Sequence, residues 1–226
     1  MPEKLRVEIA PDQEVNAFVY PVANQNQIDV TVILGHGAGV DQNSDFMMRF
    51  ATGLAARGIN LVTFNFLYTE QGRRVPDSNS ALEACFRAMI EAVRPKKFGR
   101  NNLVIGGKSL GGRIASQIAA GGSNVQGLVF LGYPLHPPGR ADQLRAKHLP
   151  DIKVPMLFIQ GSRDAFGTPD ELRPIIEELN APADLYIVDD GDHSFKVFKR
   201  AVITQEDTYR AMLDRIASWL RQTFPN

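Results

Sequence analysis

The sequence predicts an α/β fold: a mostly parallel sheet of about eight strands with helices on both faces. Three observations predict it. Short continuous apolar runs, such as Val30 to Leu34 and Val125 to Leu131, suit strands buried on both faces. Segments with apolar residues at three- and four-residue spacing alternate with those runs. Repeated strand–helix units imply parallel strands with the helices as crossovers. The 226 residues fit a single domain spanning 1–226. A chain of that size hides about 70% of its unfolded surface without needing staples.

In chain order, residues 5–10 and 15–20 flank Pro11-Asp12-Gln13 and read as a β-hairpin. Val30 to Leu34 is the first buried strand. Phe46, Met47, Phe50 and Leu54 form a helical stripe, with Asn43 or Ser44 as cap and Arg57-Gly58 as stop. Ile59 to Phe66 reads as the next strand and Ser80 to Val93 as a helix. Leu103 to Gly107 is a strand; Ile114, Ala115 and Ile118 face inward from the helix after it, which Gly121-Gly122 ends. Strands at Val125 to Leu131, Val154 to Gln160 and Leu185 to Val188 complete the sheet. Leu172, Ile175, Ile176 and Leu179 mark one more helix. Met212, Ile216, Trp219 and Leu220 mark the closing one.

One connection is irregular. Prolines within Tyr133 to Asp151 forbid a full crossover helix, leaving at best a short one over Asp142 to Lys147. This excursion leaves the carboxyl end of a strand, where open α/β sheets bind ligands. It is too short for more than a minimal cap.

Composition narrows the function classes. Formal net charge is zero, so there is no electrostatic reason to expect nucleic acid or an anionic membrane as partner. The small basic cluster Lys96, Lys97 and Arg100 reads as a solvated turn. Cys85 is the only cysteine, which excludes intramolecular disulfides and multi-cysteine zinc sites. Its place in the stripe Leu82, Cys85, Phe86, Met89 marks a buried, inert thiol. No apolar stretch reaches the roughly 18 residues of a membrane span, and the N-terminus lacks an apolar signal region. A cytoplasmic protein without metal or cofactor is the expectation.

The chemistry is carried by Gly107-Lys108-Ser109-Leu110-Gly111, set between a strand and a helix. That order holds a serine hydroxyl at the apex of a sharp turn. A serine is a weak nucleophile until a base takes its proton, and the base needs a carboxylate to fix its tautomer. His193 follows the last strand and Asp164 the strand before it, so both fall at the sheet edge that carries Ser109. The order Ser, Asp, His is that of one hydrolytic sheet architecture. An oxyanion needs N–H donors. Leu110 supplies the first, and Ala38 in His36-Gly37-Ala38-Gly39 the second, with Gly37 as the alternative. His36 reads as a structural loop histidine.

With these residues in view, the chain resembles the α/β-hydrolases over essentially its whole length. More narrowly it is similar to the dienelactone-hydrolase-like subfamily that includes a vertebrate testis-expressed protein and a subunit of the nonspecific-lethal chromatin complex. The matching pieces are His36 to Gly39, Gly106 to Arg113, Gly132 to His136, Gly161 to Asp164 and Asp192 to Ser194. The resemblance implies Ser109 as nucleophile, Asp164 as acid and His193 as base. Dienelactone hydrolases proper carry cysteine at the elbow, where this chain has Ser109.

Around the triad, Gly37, Tyr68, Arg73, Arg74, Tyr133 and His136 are expected to touch substrate, with the arginines as a fork for a carboxylate or phosphate. Lys108 is expected to pack or pair structurally. Together these readings predict a serine hydrolase that cleaves a small acyl substrate, ester or thioester, through an acyl-enzyme. The alternative is a non-catalytic protein-interaction module on a hydrolase fold, since fold alone does not prove function.

Overall fold

A computed structural model describes residues 2–22, 27–96, 102–198 and 202–225. Lys97 and Arg100 of the basic cluster lie outside the described residues. The chain forms β1 (Glu3–Ala10), β2 (Gln13–Tyr20), β3 (Val30–Gly35), α1 (Asp45–Ala55), β4 (Asn60–Phe64), α2 (Leu67–Glu70) and α3 (Asn79–Val93). It continues through β5 (Asn102–Lys108), α4 (Leu110–Ala120), β6 (Gly127–Leu131), β7 (Met156–Gly161), α5 (Pro169–Glu177), β8 (Ala183–Val188) and α6 (Gln205–Thr223). The eight strands make one sheet in the order β1-β2-β4-β3-β5-β6-β7-β8. β1, β2 and β4 pair antiparallel, and from β4 to β8 every pair is parallel.

The sheet is buried on both sides because its strands alternate faces residue by residue. Leu103, Ile105, Leu128, Phe130 and Phe158 belong to a core shared with α3 and α4. Their neighbours Val104, Val129, Leu131, Leu157 and Ile159 belong to a second core shared with α1 and α6. The helices present matching stripes: Leu82, Phe86 and Met89 on α3, and Met212, Ile216 and Leu220 on α6. Cys85 is buried in the first core, and burial pushes its thiol up to about 12. That keeps it protonated and inert at neutral pH.

Two expectations are corrected. The strand expected over Ile59 to Phe66 stops at Phe64, and Phe66 instead caps the short α2. The Phe66 N–H leaves the ladder to donate to His36 Nε2 at 3.2 Å. No helix forms over Asp142 to Lys147; the excursion holds only a 3-10 turn at Leu149–Asp151. Ser44 is the helix cap of α1 by position, although its side chain makes no capping bond.

The topology fixes where a site can form. After β3 the chain runs to β4 on one side, then returns to β5 on the other. Loops leaving the carboxyl ends of β3 and β5 therefore diverge and open a crevice. Gly35 of β3 pairs with Gly107 of β5 at that point.

Candidate active site

Ser109 sits between β5 and α4 with φ 48° and ψ −106°, a left-handed conformation costly for any residue with a Cβ. The turn is tight enough that a Cβ on Gly107 would lie 2.2 Å from the Gly35 carbonyl oxygen. Ser109 N–H donates to the Leu131 carbonyl at 3.0 Å, and Arg113 N–H donates to the Ser109 carbonyl at 3.0 Å. The hydroxyl is thus held by backbone bonds on both sides. Ser109→Gly should melt about 2–4 °C above Ser109→Ala, because only glycine relieves the strain. Equal melting temperatures, measured by calorimetry, would show that the elbow stores nothing.

The Ser109 hydroxyl lies 2.8 Å from His193 Nε2. His193 Nδ1 lies 2.9 and 2.8 Å from the two oxygens of Asp164. Because an ionised carboxylate only accepts, the proton belongs on Nδ1, which leaves the Nε2 lone pair facing serine. Asp164 is fully buried. Its oxygens also accept from Phe166 N–H at 2.8 Å and from Gln160 Nε2 at 2.9 Å. Those two donors offset the cost of burying the carboxylate. The Phe166 ring stacks on the imidazole at 4.1 Å between centroids. Asp192 accepts from the N–H groups of Ser194 and Lys196 at 2.8 and 2.9 Å, a local turn that aims the histidine loop.

Ser109 and His193 open onto a cleft of about 670 Å³. Gly37, Ala38 and Leu110 line it beside the serine. The Leu110 N–H belongs to the first turn of α4, where helix N–H groups lack an intrahelical partner. His36 is buried behind this loop. Its Nδ1 donates to the Gly37 carbonyl at 2.8 Å, and Nε2 accepts from Phe66 N–H. Burial lowers its pKa and keeps it neutral. His36 therefore pins the Gly-rich loop to the end of β4.

Lys108 also lines the cleft, with its ammonium 5.4 Å from the centre of the Phe195 ring. Burial lowers its pKa to about 8, although Asp164 and Asp192 pull it back up.

Most of the residues expected to touch substrate lie elsewhere. Tyr133 is fully buried, and its hydroxyl donates to the Arg145 carbonyl at 2.8 Å. Burial raises its pKa to about 12. His136 is buried against Glu171, 3.1 Å away. Tyr68 is packed in the core beside Phe66. None of the three lines the cleft. Arg73 pairs with Asp77 at 2.7 Å, and with Arg74 it borders a shallower depression that adjoins the cleft across Val40 and Ser44. Of the six, only Gly37 reaches the cleft.

Sequence reasoning also misses residues. Gln160 is visible as a polar residue ending an apolar strand; it binds Asp164, the Gly167 carbonyl and the Tyr133 backbone. Arg113 stands four residues after Ser109 and so on the same side of α4, a spacing that could have flagged it. Nothing in the irregular excursion signals that Arg145 reaches the cleft.

Comparison with known proteins accords with this architecture. An α/β serine hydrolase without lid from Xanthomonas campestris superposes with a TM-score of 0.74 at 21% identity, covering 100% of this chain and 96% of that one. A dienelactone hydrolase from Anabaena variabilis gives 0.76 at 18% identity, covering 98% and 97%. A Pyrococcus furiosus esterase gives 0.74 at 14% identity, covering 99% and 93%. At these identities the likeness is one of fold. Residues 28–221 match the alpha/beta hydrolase domain family, and the chain belongs to it.

Proposed function

We propose that the protein is a serine hydrolase acting on a small ester or thioester. The observation that carries this reading is the continuous chain of short contacts from Ser109 through His193 to Asp164, opening onto a solvent-accessible cleft. Ser109 Oγ attacks the acyl carbonyl carbon while its proton passes to His193 Nε2. The carbonyl oxygen takes the negative charge against the Leu110 and Ala38 N–H groups. Collapse breaks the bond to the leaving group, which takes the proton from His193. Water then attacks the acyl-enzyme and gives a proton to His193; that proton returns to Ser109 as the acid is released. Asp164 stays ionised throughout, holding the tautomer and the imidazolium. No step requires a metal or cofactor.

Among the described residues no large cap covers the cleft, which favours small or extended acyl groups over an emulsion surface. The closer kinship with the dienelactone-hydrolase-like subfamily, and a cytoplasmic setting, are part of the same proposal. Among the described residues no helix is long and apolar enough to cross a membrane.

A fluorophosphonate probe tests the reading. Wild-type protein should be labelled at Ser109, and Ser109→Ala should lose the label while keeping its circular dichroism spectrum. A folded wild type that resists the probe and turns over no p-nitrophenyl ester would favour a non-catalytic interaction module.

A further inference from the structure

The cleft is electrostatically lopsided in a chain with zero formal net charge. Four cationic residues line it: Lys108, Arg113, Arg145 and Lys196. Asp45 is the one carboxylate among its lining residues. It stands in the first turn of α1, where it complements the helix dipole.

Arg113 and Arg145 are the informative pair. Neither forms an ion pair among the described residues. By contrast, Arg57 and Arg73 elsewhere on the protein each pair with a carboxylate at 2.7 Å. The two guanidiniums are close enough to oppose each other's charge. Arg113 titrates below the ordinary arginine range, first through burial and then through Arg145. Glu83 partly offsets the charge of Arg113 but lines no part of the cleft, so the two cations facing the cleft repel each other there unless a ligand supplies negative charge.

Both are built into place. Arg113 lies one helical turn beyond the nucleophile, and its Nη2 donates to Asn79 Oδ1 at 3.1 Å. Arg145 comes from the irregular excursion. Its N–H donates to the Leu135 carbonyl at 2.7 Å, and its own carbonyl accepts from the buried Tyr133 hydroxyl. Tyr133 is thus the anchor that delivers Arg145 to the cleft.

We propose that Arg113 and Arg145 form an anion-binding subsite, and that the natural substrate is an acyl compound bearing a carboxylate or phosphate near its scissile bond. This rests on the serine-hydrolase reading. One helical turn rises about 5.4 Å, so the anion sits only a few bonds from the carbonyl that Ser109 attacks. A planar guanidinium fork matches the two oxygens of a carboxylate or phosphate.

The test compares mono-p-nitrophenyl glutarate with p-nitrophenyl valerate, which differ in the terminal carboxylate. Wild type should prefer the glutarate by at least about tenfold in kcat/KM at low salt. Arg113→Gln and Arg145→Gln should each cut that preference about tenfold, and Arg145→Lys should keep part of it. Because the preference is a ratio within each variant, a general loss of activity cancels. Inhibition by glutarate or by inorganic phosphate tells which oxyanion fits. A wild-type preference at or below one, or a preference untouched in both variants, would overturn the subsite. If neither ester is hydrolysed and the fluorophosphonate probe leaves Ser109 unlabelled, the hydrolase reading fails by itself. Calorimetry on Ser109→Ala then decides the subsite: glutarate or phosphate binding that disappears in the added Arg113→Gln/Arg145→Gln variant supports it, and no binding overturns it.

Discussion

Replacing Asp164 by asparagine is expected to lower kcat about 10⁴-fold while the protein still folds. The reason is the set of donors already pointing at the carboxylate. Phe166 N–H points at Oδ1, and Gln160 Nε2 donates to Oδ2. An asparagine amide has to put its NH₂ group at one of those two positions, donor against donor. Whichever orientation it takes, one acceptor is lost, and turning the amide NH₂ toward His193 drives the imidazole into the tautomer with its proton on Nε2. That nitrogen can then no longer accept from Ser109. The unpaired donor also costs about 1–3 kcal/mol of stability. Steady-state hydrolysis of p-nitrophenyl butyrate, beside a thermal melt, checks both parts. A variant retaining more than about a tenth of wild-type kcat would remove Asp164 from the orienting role. Gln160→Leu provides a second reading of the same contacts. It removes the Oδ2 donor without touching the carboxylate charge, so its loss of rate should be far smaller.

How far the sequence reaches is set by what strand order can fix. Ser109, Asp164 and His193 each follow a parallel strand, so their arrival at one sheet edge is legible in the chain alone. What strand order does not fix is where a loop side chain turns. Tyr133 and His136 also follow a strand at that edge, yet both turn inward. The Tyr133 hydroxyl is satisfied by the Arg145 carbonyl, and the His136 ring by Glu171. A ring with one or two polar atoms can fill a core as readily as a rim once each has a partner, as both nitrogens of His136 do in the Pro137 carbonyl and Glu171. Tyr68 departs from expectation for a different reason. Ending β4 at Phe64 starts α2 early, and the helix carries Tyr68 into the core instead of toward the crevice. The same strand-end logic puts Arg73 and Arg74 near the crevice, but Asp77 holds Arg73 aside. Arg145 escapes a sequence reading because the excursion has neither helical nor strand periodicity to read.

Gly111→Ala is the second substitution with a large expected effect, and it acts without touching a reacting atom. A Cβ at this position would lie 2.2 Å from the Gly35 carbonyl oxygen and 2.4 Å from its carbon. That is far inside the roughly 3.5–4.0 Å at which non-bonded atoms pack. Both partners are backbone, so no rotamer can absorb the clash. α4 must withdraw from β3 by about 1 Å or more. Overpacking of this kind costs about 3 kcal/mol, which for a chain of this length lowers Tm by about 6–12 °C. The same displacement moves Leu110, the residue before it, away from Ala38, which follows three residues after Gly35. The two proposed oxyanion donors thus separate, and a misplacement near 1 Å can cost about 10² in rate. Gly122→Ala is the matching control. It has φ 83° but nothing within 4 Å of the added Cβ, so it meets only the conformational cost of about 1 kcal/mol, with kcat unchanged. Calorimetry and p-nitrophenyl butyrate turnover on the pair separate the two terms. If Gly111→Ala matched Gly122→Ala in both, the close approach of α4 to β3 would not be what sets the geometry around Ser109.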